Sequence, residues 1–225
     1  YNLLKESIRR RKSNEPISKI IGSKAFWQFS FYVNSHVLDP RPETEFLVEE
    51  VLNRTDKNNN KILDLGTGSG CIAISLALEL PNCDITGSDV SKDALEVAEY
   101  NSWLNSANVK FVESDWFEMI EGTFDIIVSN PPYLSEEDYK NLSPDIKFFE
   151  PKVALVGALD GLECYRQIVD KLDGYLSDKG VGFFEVGVGQ LETVTNIFFE
   201  SGFEVFDRRM DLSGIDRVLC VKKAS

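Results

Sequence analysis

The chain has 225 residues, 43% of them hydrophobic and 27% charged, with a formal net charge of -13. That is enough for one two-sided α/β core with a short appendage, and no apolar run reaches the ~18 residues that span a bilayer. The acidic body argues against tight, sequence-independent binding of nucleic acid, which rests on neutralising phosphates.

The charge is unevenly spread. Residues 1–24 hold seven basic side chains against Glu6 and Glu15, a local +5 that leaves -18 on the rest. This start reads as a solvated helix face with the option of touching an acidic partner. Tyr1 to Lys5 carries no Met and no signal-peptide pattern, so the chain is expected to begin inside a longer protein, near the end of a helix. The four cysteines form no C-x-x-C pair and His36 is the single histidine. That composition argues against a zinc site and against a Ser-His or Cys-His catalytic pair. Cys71 and Cys220 lie in apolar runs and are expected to be buried free thiols of a reducing cytoplasm.

In chain order, residues 3–13 look helical and basic, and Glu15-Pro16 ends that element. Residues 17–37 are rich in aromatic and β-branched side chains and predict a β-hairpin or short sheet. Pro40-Arg41-Pro42 breaks the chain before a helix from Glu43 to about Arg54, and Thr55 to Asn60 reads as a polar loop. An alternating pattern then begins. Strands are expected at 61–65, 84–90, 109–113, 124–129 and 180–186, with helices up to Pro81 and over 92–105, 161–176 and 190–201. Ser91 is placed to cap the second of these helices. Strands at 203–209 and 217–222 follow one another with no helix between them. The pattern predicts an α/β fold with a seven-stranded, mostly parallel sheet ending in an antiparallel hairpin. Such a sheet binds its ligand at the C-terminal strand ends.

The first strand end carries Asp64-Leu65-Gly66-Thr67-Gly68-Ser69-Gly70. Glycines let a backbone turn sharply and approach a ligand without Cβ clashes. The G-x-G-x-G spacing is neither the dinucleotide fingerprint nor a P-loop. Asp64 is placed to accept hydrogen bonds from a ligand ammonium or from the loop itself. Asp89 ends the next strand, where an acid can accept from both hydroxyls of a ribose. Asp115 and Trp116 end the third strand, an acceptor for an adenine amino group and an aromatic cover for its face. Together these describe an adenosine site without a pyrophosphate clamp, which fits S-adenosylmethionine better than NAD.

The fourth strand ends in Asn130-Pro131-Pro132-Tyr133. Proline lacks an N–H and pushes the preceding residue to an extended shape. The Asn130 side-chain oxygen and the Pro131 carbonyl are thus candidates to hold the two N–H bonds of a planar amino or amide group, with Tyr133 on its face. Methyl transfer from a sulfonium needs little acid–base help, so alignment and electrostatics are expected to carry the rate. His36, read as part of the hairpin region, is expected to play no catalytic part.

At this point the residues resemble the release-factor glutamine methyltransferases, over about Ile8 to Val221. The resemblance rests on Arg10-Arg11 with Glu15-Pro16, Pro40-Arg41-Pro42-Glu43-Thr44-Glu45, Asp64 to Gly70, and Ser114-Asp115-Trp116-Phe117. Val128 to Tyr133, Phe149-Glu150-Pro151, Asp160-Gly161-Leu162 and Asp211-Leu212-Ser213-Gly214 complete it. The N-P-P-Y stretch alone is shared with adenine and guanine amino-methyltransferases. The resemblance implies a class I, Rossmann-like methyltransferase of the cytoplasm. Such an enzyme transfers a methyl from S-adenosylmethionine to the N5 amide of the glutamine in the Gly-Gly-Gln loop of peptide chain release factors, leaving S-adenosylhomocysteine. It also implies that residues 1–16 are the last helix of a mostly absent helical domain, 17–40 a β-hairpin linker and 41–225 the methyltransferase domain. Carried over, Gly66 to Gly70, Asp89, Trp116 and Asn130 hold the cofactor, and Asn130, Pro131, Pro132 and Tyr133 hold the glutamine. Asp39 departs from the family pattern, which has an apolar residue before P-R-P. The alternatives are an amino-methyltransferase acting on nucleic-acid bases, which would use the same Asn130 and Tyr133 contacts on a flipped base, and a catalytically silent cofactor-binding module.

Overall fold

The computed structural model describes residues 2–55 and 59–224; of the expected polar loop, residues 56–58 lie outside the described residues. The chain opens with helix α1 (Asn2–Lys12) and a short helix α2 (Ile17–Ile21), followed by the hairpin β1 (Ser23–Phe26) and β2 (Phe29–Tyr32). Helix α2 corrects the expectation of strand from residue 17. Its β-branched residues suit a strand, but Pro16 precedes the first turn and Gly22, at φ 69°, closes it by donating to the Ser18 carbonyl. A 3-10 turn (Pro42–Thr44) leads into α3 (Glu45–Arg54).

The main domain then alternates β3 (Lys61–Leu65), α4 (Cys71–Glu79), β4 (Asp84–Asp89), α5 (Lys92–Asn105), β5 (Lys110–Glu113) and β6 (Phe124–Ser129). Ser91 caps α5 by accepting from the Ala94 amide at 3.2 Å, as its position predicts. Such a cap contributes about 1 kcal/mol. Two short helices, α6 (Glu136–Lys140) and α7 (Pro144–Lys147), occupy a stretch where the sequence suggested no element. Then come α8 (Glu163–Tyr175), β7 (Leu176–Glu185), α9 (Leu191–Glu200), β8 (Phe203–Met210) and β9 (Asp216–Lys223).

The seven strands lie in the order β5-β4-β3-β6-β7-β9-β8. Strands β3 to β7 are mutually parallel, and β9 is antiparallel to both β7 and β8. This is the mostly parallel sheet with a terminal antiparallel hairpin that the alternation predicts. One core layer packs Leu63, Leu65, Ile127 and Phe184 against α8 and α9 residues such as Ile168 and Phe198. The other packs Ile62, Ile126, Val128 and Phe183 against α3 and α4. Strands buried on both faces need near-continuous apolar runs, which β3 and β6 have. The chain reverses direction across the sheet between β3 and β6, so the loops after β3 and β6 diverge and leave a crevice at their C-terminal ends.

Candidate functional site

The turn after β3 is bound to the next strand through its backbone. The Gly66 and Thr67 amides both donate to the Ser88 carbonyl at 2.8 Å. Gly66, Gly68 and Gly70 have φ of 73°, 55° and 80°, a region that costs other residues strain. They serve different ends. At Gly70 a Cβ would lie 2.8 Å from Ile74 Cδ1, so this glycine permits packing of α4 on α5. At Gly68 a Cβ would meet nothing within 4 Å, because the residue opens into the crevice. Gly87 in β4 has no room for a Cβ either, since Thr67 Oγ1 would stand 2.9 Å away.

Asp64 does not reach the crevice. It is fully buried and accepts from Thr67 Oγ1 at 2.6 Å and from the Ala73 amide at 3.2 Å. Of its two expected partners the loop is the one observed. Burial pushes its carboxyl up to about 7 against these hydrogen bonds. Asp89 does face the crevice, and each carboxylate oxygen already holds one backbone N–H: Gly68 at 2.8 Å and Ser91 at 2.9 Å. The same side chain therefore fixes the glycine turn and lines the crevice. Burial raises its pKa.

Trp116 sits at φ 47°, with its indole N–H donated to Gln167 Oε1 at 2.7 Å. Its ring edge comes within 3.9 Å of where a Gly66 Cβ would lie, so it borders the glycine turn. Asp115 beside it is exposed and lines the same crevice.

The corner after β6 is assembled from distant parts of the chain. The Asn130 side-chain amide donates to Thr44 Oγ1 at 3.0 Å. The Tyr133 carbonyl accepts from Gln190 Nε2 at 2.8 Å. Leu134 and Val156 form an isolated bridge that continues the corner outward. Glycines make this packing possible: a Cβ on Gly157 would lie 2.4 Å from the Pro132 carbonyl, and one on Gly161 2.3 Å from that of Tyr133. Tyr133 itself is half-buried, and burial is the main cause that raises its phenol pKa.

One crevice of about 330 Å³ joins these features. Its wall includes Gly66, Thr67, Gly68, Ser69, Asp89, Asp115, Trp116, Asn130 and Pro132. Asp64, Gly70, Pro131 and Tyr133 are not on that wall. His36 corrects its expected place: it lies beyond β2 on the crevice wall, with Nδ1 3.3 Å from Asp93. Sequence reasoning missed Thr44, Glu185, Gln167 and Gln190 as partners of the site. Glu185 carried a usable signal, as a lone acid at the end of a buried strand. Gln190 carried none.

The chain before the sheet reaches the crevice through a buried charge cluster. Lys19 Nζ pairs with Asp39 at 2.9 Å and with Glu150 at 3.1 Å, and donates to the carbonyls of Asn34 and Val37. Glu150 also pairs with Arg41 at 3.1 Å, and Ser18 hydrogen bonds to Asp39. Asp39 thus has a physical reason to be acidic: Lys19 points at it from α2. The hairpin is tied in by Asn101, which exchanges hydrogen bonds with the Tyr32 backbone and donates to the Ser69 carbonyl of the glycine turn at 2.9 Å.

Among known proteins, the methyltransferase small domain family model matches residues 36–146. The release factor glutamine methyltransferase of Thermodesulfovibrio yellowstonii is 42% identical over 226 residues, covering 98% of this chain and 81% of that protein. That of Buchnera aphidicola is 44% identical over 219 residues, covering 97% and 79%. Among solved structures, a methyltransferase from Pyrococcus furiosus superposes with a TM-score of 0.67 at 19% identity over 100% of both chains. The 16S rRNA N2 G1207 methyltransferase of T. thermophilus, solved with AdoMet and guanosine, gives 0.63 at 19% identity, over 89% of this chain and 49% of that one. These two structural likenesses establish the fold as that of the class I methyltransferases.

Proposed function

The chain belongs to the release factor glutamine methyltransferases, and from that premise we propose that its crevice holds S-adenosylmethionine while the Asn130–Tyr133 corner holds the acceptor glutamine. The reaction moves a methyl group to the N5 amide nitrogen of the glutamine in the Gly-Gly-Gln motif of peptide chain release factors. Release factors act in translation, which makes the cytoplasm the compartment we infer; among the described residues no helix is long and apolar enough to cross a membrane.

The observation that carries this reading is the shared crevice, with Asp89 and the glycine turn on one side and Asn130 on the other. The residues fit the cofactor. Gly68 leaves open the space a side chain would fill, Asp89 keeps free lone pairs, and Trp116 offers a ring face beside Gly66. When bound, S-adenosylmethionine supplies an activated methyl on a sulfonium leaving group. The chain's own task is then to orient a poor nucleophile, because an amide nitrogen shares its lone pair with its carbonyl.

Asn130 spends its N–H on Thr44, so its oxygen is the atom left to accept from the acceptor amide. The Pro131 carbonyl is the second acceptor in the reading, and the Tyr133 ring the flat support. Two acceptors on the two hydrogens fix the nitrogen toward the methyl and raise its electron density, which is where orientation and preorganised dipoles contribute. The test is transfer of labelled methyl from S-adenosylmethionine to a purified release factor, beside DNA and RNA as acceptors. Label on the Gly-Gly-Gln glutamine is expected. Label confined to nucleic acid would replace this reading with that of a base amino-methyltransferase.

A further inference from the structure

We propose that Glu185, acting with Thr44, is the positioning residue that fixes which way the Asn130 carboxamide faces. The inference rests on the reading of Asn130 as the acceptor-holding residue, and it assigns a task to two side chains outside the N-P-P-Y corner.

Glu185 is the last residue of β7, the parallel neighbour of β6. Ser129 and Phe184 are register partners, so the next residues along, Asn130 and Glu185, emerge side by side at the C-terminal ends of these interior strands. Glu185 is 2% exposed, and its backbone carbonyl is anchored by the Tyr165 hydroxyl at 2.8 Å. Thr44 and Asn130 stand beside its carboxylate and favour its ionised form, while the Asn130 amide donates to Thr44 Oγ1 at 3.0 Å and Glu185 Oε2 is left without a partner. A buried carboxyl with a spare acceptor is costly, and proteins seldom retain one without a use.

The use follows from hydrogen-bond polarity. A carboxamide has a donor end and an acceptor end, and its two orientations fill nearly the same volume. With Glu185 ionised, every oxygen near Asn130 on the Thr44 side seeks a donor. The Asn130 amide nitrogen therefore turns to Thr44, on the side where Glu185 lies, and the carbonyl oxygen turns away. The opposite orientation would set the Asn130 oxygen against a carboxylate and present an N–H to the acceptor's own N–H. Glu185 thus selects the orientation in which Asn130 can accept. Charged and titratable groups facing Glu185 are Arg217, which favours its ionised form, and Glu43, which opposes it, with Tyr133 and Tyr165 nearby. Burial is the dominant influence and pushes the carboxyl up to about 7.

The experiment compares Glu185→Gln, Thr44→Val and Thr44→Ser with the wild-type chain, using S-adenosylmethionine and a purified release factor. Glu185→Gln is expected to lower kcat by ~10²-fold, the scale for a lost orienting group in a transition state, while cofactor affinity by calorimetry stays within about threefold. Thr44→Val should follow it, and Thr44→Ser, which keeps the hydroxyl, should restore most of the rate. Wild-type kcat should rise with pH around neutrality, a limb that Glu185→Gln abolishes and Asp64→Asn retains. Glu185→Gln with wild-type kcat and an unchanged pH limb would overturn the positioning role. Should Glu185→Gln not fold, equal rates for Thr44→Val and Thr44→Ser would overturn it instead. If the wild type methylates a nucleic-acid amino group and not the release factor, the substrate reading fails alone, and the same variants test the positioning role on that acceptor.

Discussion

The glycine turn and the Asn130–Tyr133 corner border one crevice, but they are held by different kinds of contact. The turn is secured mostly within its own stretch of chain: Thr67 reaches Asp64 three residues back, and Gly68 reaches Asp89 21 residues on. The corner depends on partners far away in sequence, with Thr44 86 residues from Asn130 and Gln190 57 residues from Tyr133. A turn of the first kind needs only β3, β4 and α5, three successive parts of the chain, in place. A corner of the second kind exists only when the 3-10 turn, β6, β7 and the loop before α9 are all in register. The two halves should accordingly fail in different ways: damage to the turn weakens cofactor binding, and damage to the corner slows the chemical step.

The sharpest test of that division is Asn130→Ala. It should lower kcat by ~10²-fold or more at saturating cofactor, measured by labelled methyl transfer. A loss seen only in cofactor affinity would erase the distinction between the two sides. Next in size, Asp89→Ala should weaken S-adenosylmethionine binding by ~1.5–3 kcal/mol, the scale of a hydrogen bond to a charged group. Calorimetry reports it, and kcat at saturation should stay close to wild type.

Two glycines sharpen the comparison at the level of folding. Gly161→Ala drives a Cβ to 2.3 Å from the Tyr133 carbonyl at φ 75°, and should cost ~1–3 kcal/mol from overpacking alone. Gly68→Ala meets no protein atom within 4 Å, so only the left-handed backbone costs stability, roughly 1–2 kcal/mol. Its larger effect should be on the cofactor. Urea unfolding with and without S-adenosylmethionine separates the two variants. Equal stability losses with equal loss of cofactor binding would mean that the crevice side of Gly68 carries no ligand.

The buried acids predict a pH dependence of stability. Asp64 ionises at 3.8 in its unperturbed form and near 7 when folded. Between those values the unfolded chain has released a proton that the folded chain keeps, so stability falls as pH rises through the window and levels off above it. The slope contributed by one such group is at most about 1.4 kcal/mol per pH unit. Asp64→Asn should reduce the slope of the melting temperature between about pH 5 and pH 7, leaving the part that Glu185 contributes, unlike a substitution of an exposed acid such as Glu99. An unaltered slope would show that Asp64 is ionised in the fold. Smallest of all, His36→Gln should leave kcat within about fivefold of wild type, because an exposed contact such as that of His36 with Asp93 contributes ~1 kcal/mol or less. Complete loss of turnover in a folded His36→Gln protein would require a different account of the crevice.

The contrast between the two regions also explains what could be read from the chain. Glycine spacing, Asp89 and Trp116 were legible because each sits at the end of a strand that the alternation itself predicts, although Trp116's partner Gln167 lies 51 residues on. Asn130 to Tyr133 was legible as a local motif. Its supports were not: Thr44 reads as one polar residue near a helix start, and Gln190 as a helix boundary, until the sheet register sets them beside the corner. His36 was misplaced for a related reason, since the loop after β2 folds back over α5 instead of staying with the hairpin. Helices α6 and α7 have only five and four residues, too short for an apolar period to announce them.

The cluster around Lys19 has a bearing on how this sequence could have arisen. Two cations, Lys19 and Arg41, meet two anions, Asp39 and Glu150, largely out of water. Removing one member of such a buried pair costs about 3–5 kcal/mol, against a total folding margin of about 5–15 kcal/mol for a whole domain. A lineage with an apolar residue at position 39 would lose one of the two anions around Lys19, and a lineage that acquired Asp39 first would have buried an acid without its cation. The two orders of single steps are therefore not equivalent. Lys19 keeps Glu150 and two carbonyls when Asp39 is absent, whereas Asp39 without Lys19 would be a buried acid with no cation, so the physical order of change is Lys19 before Asp39.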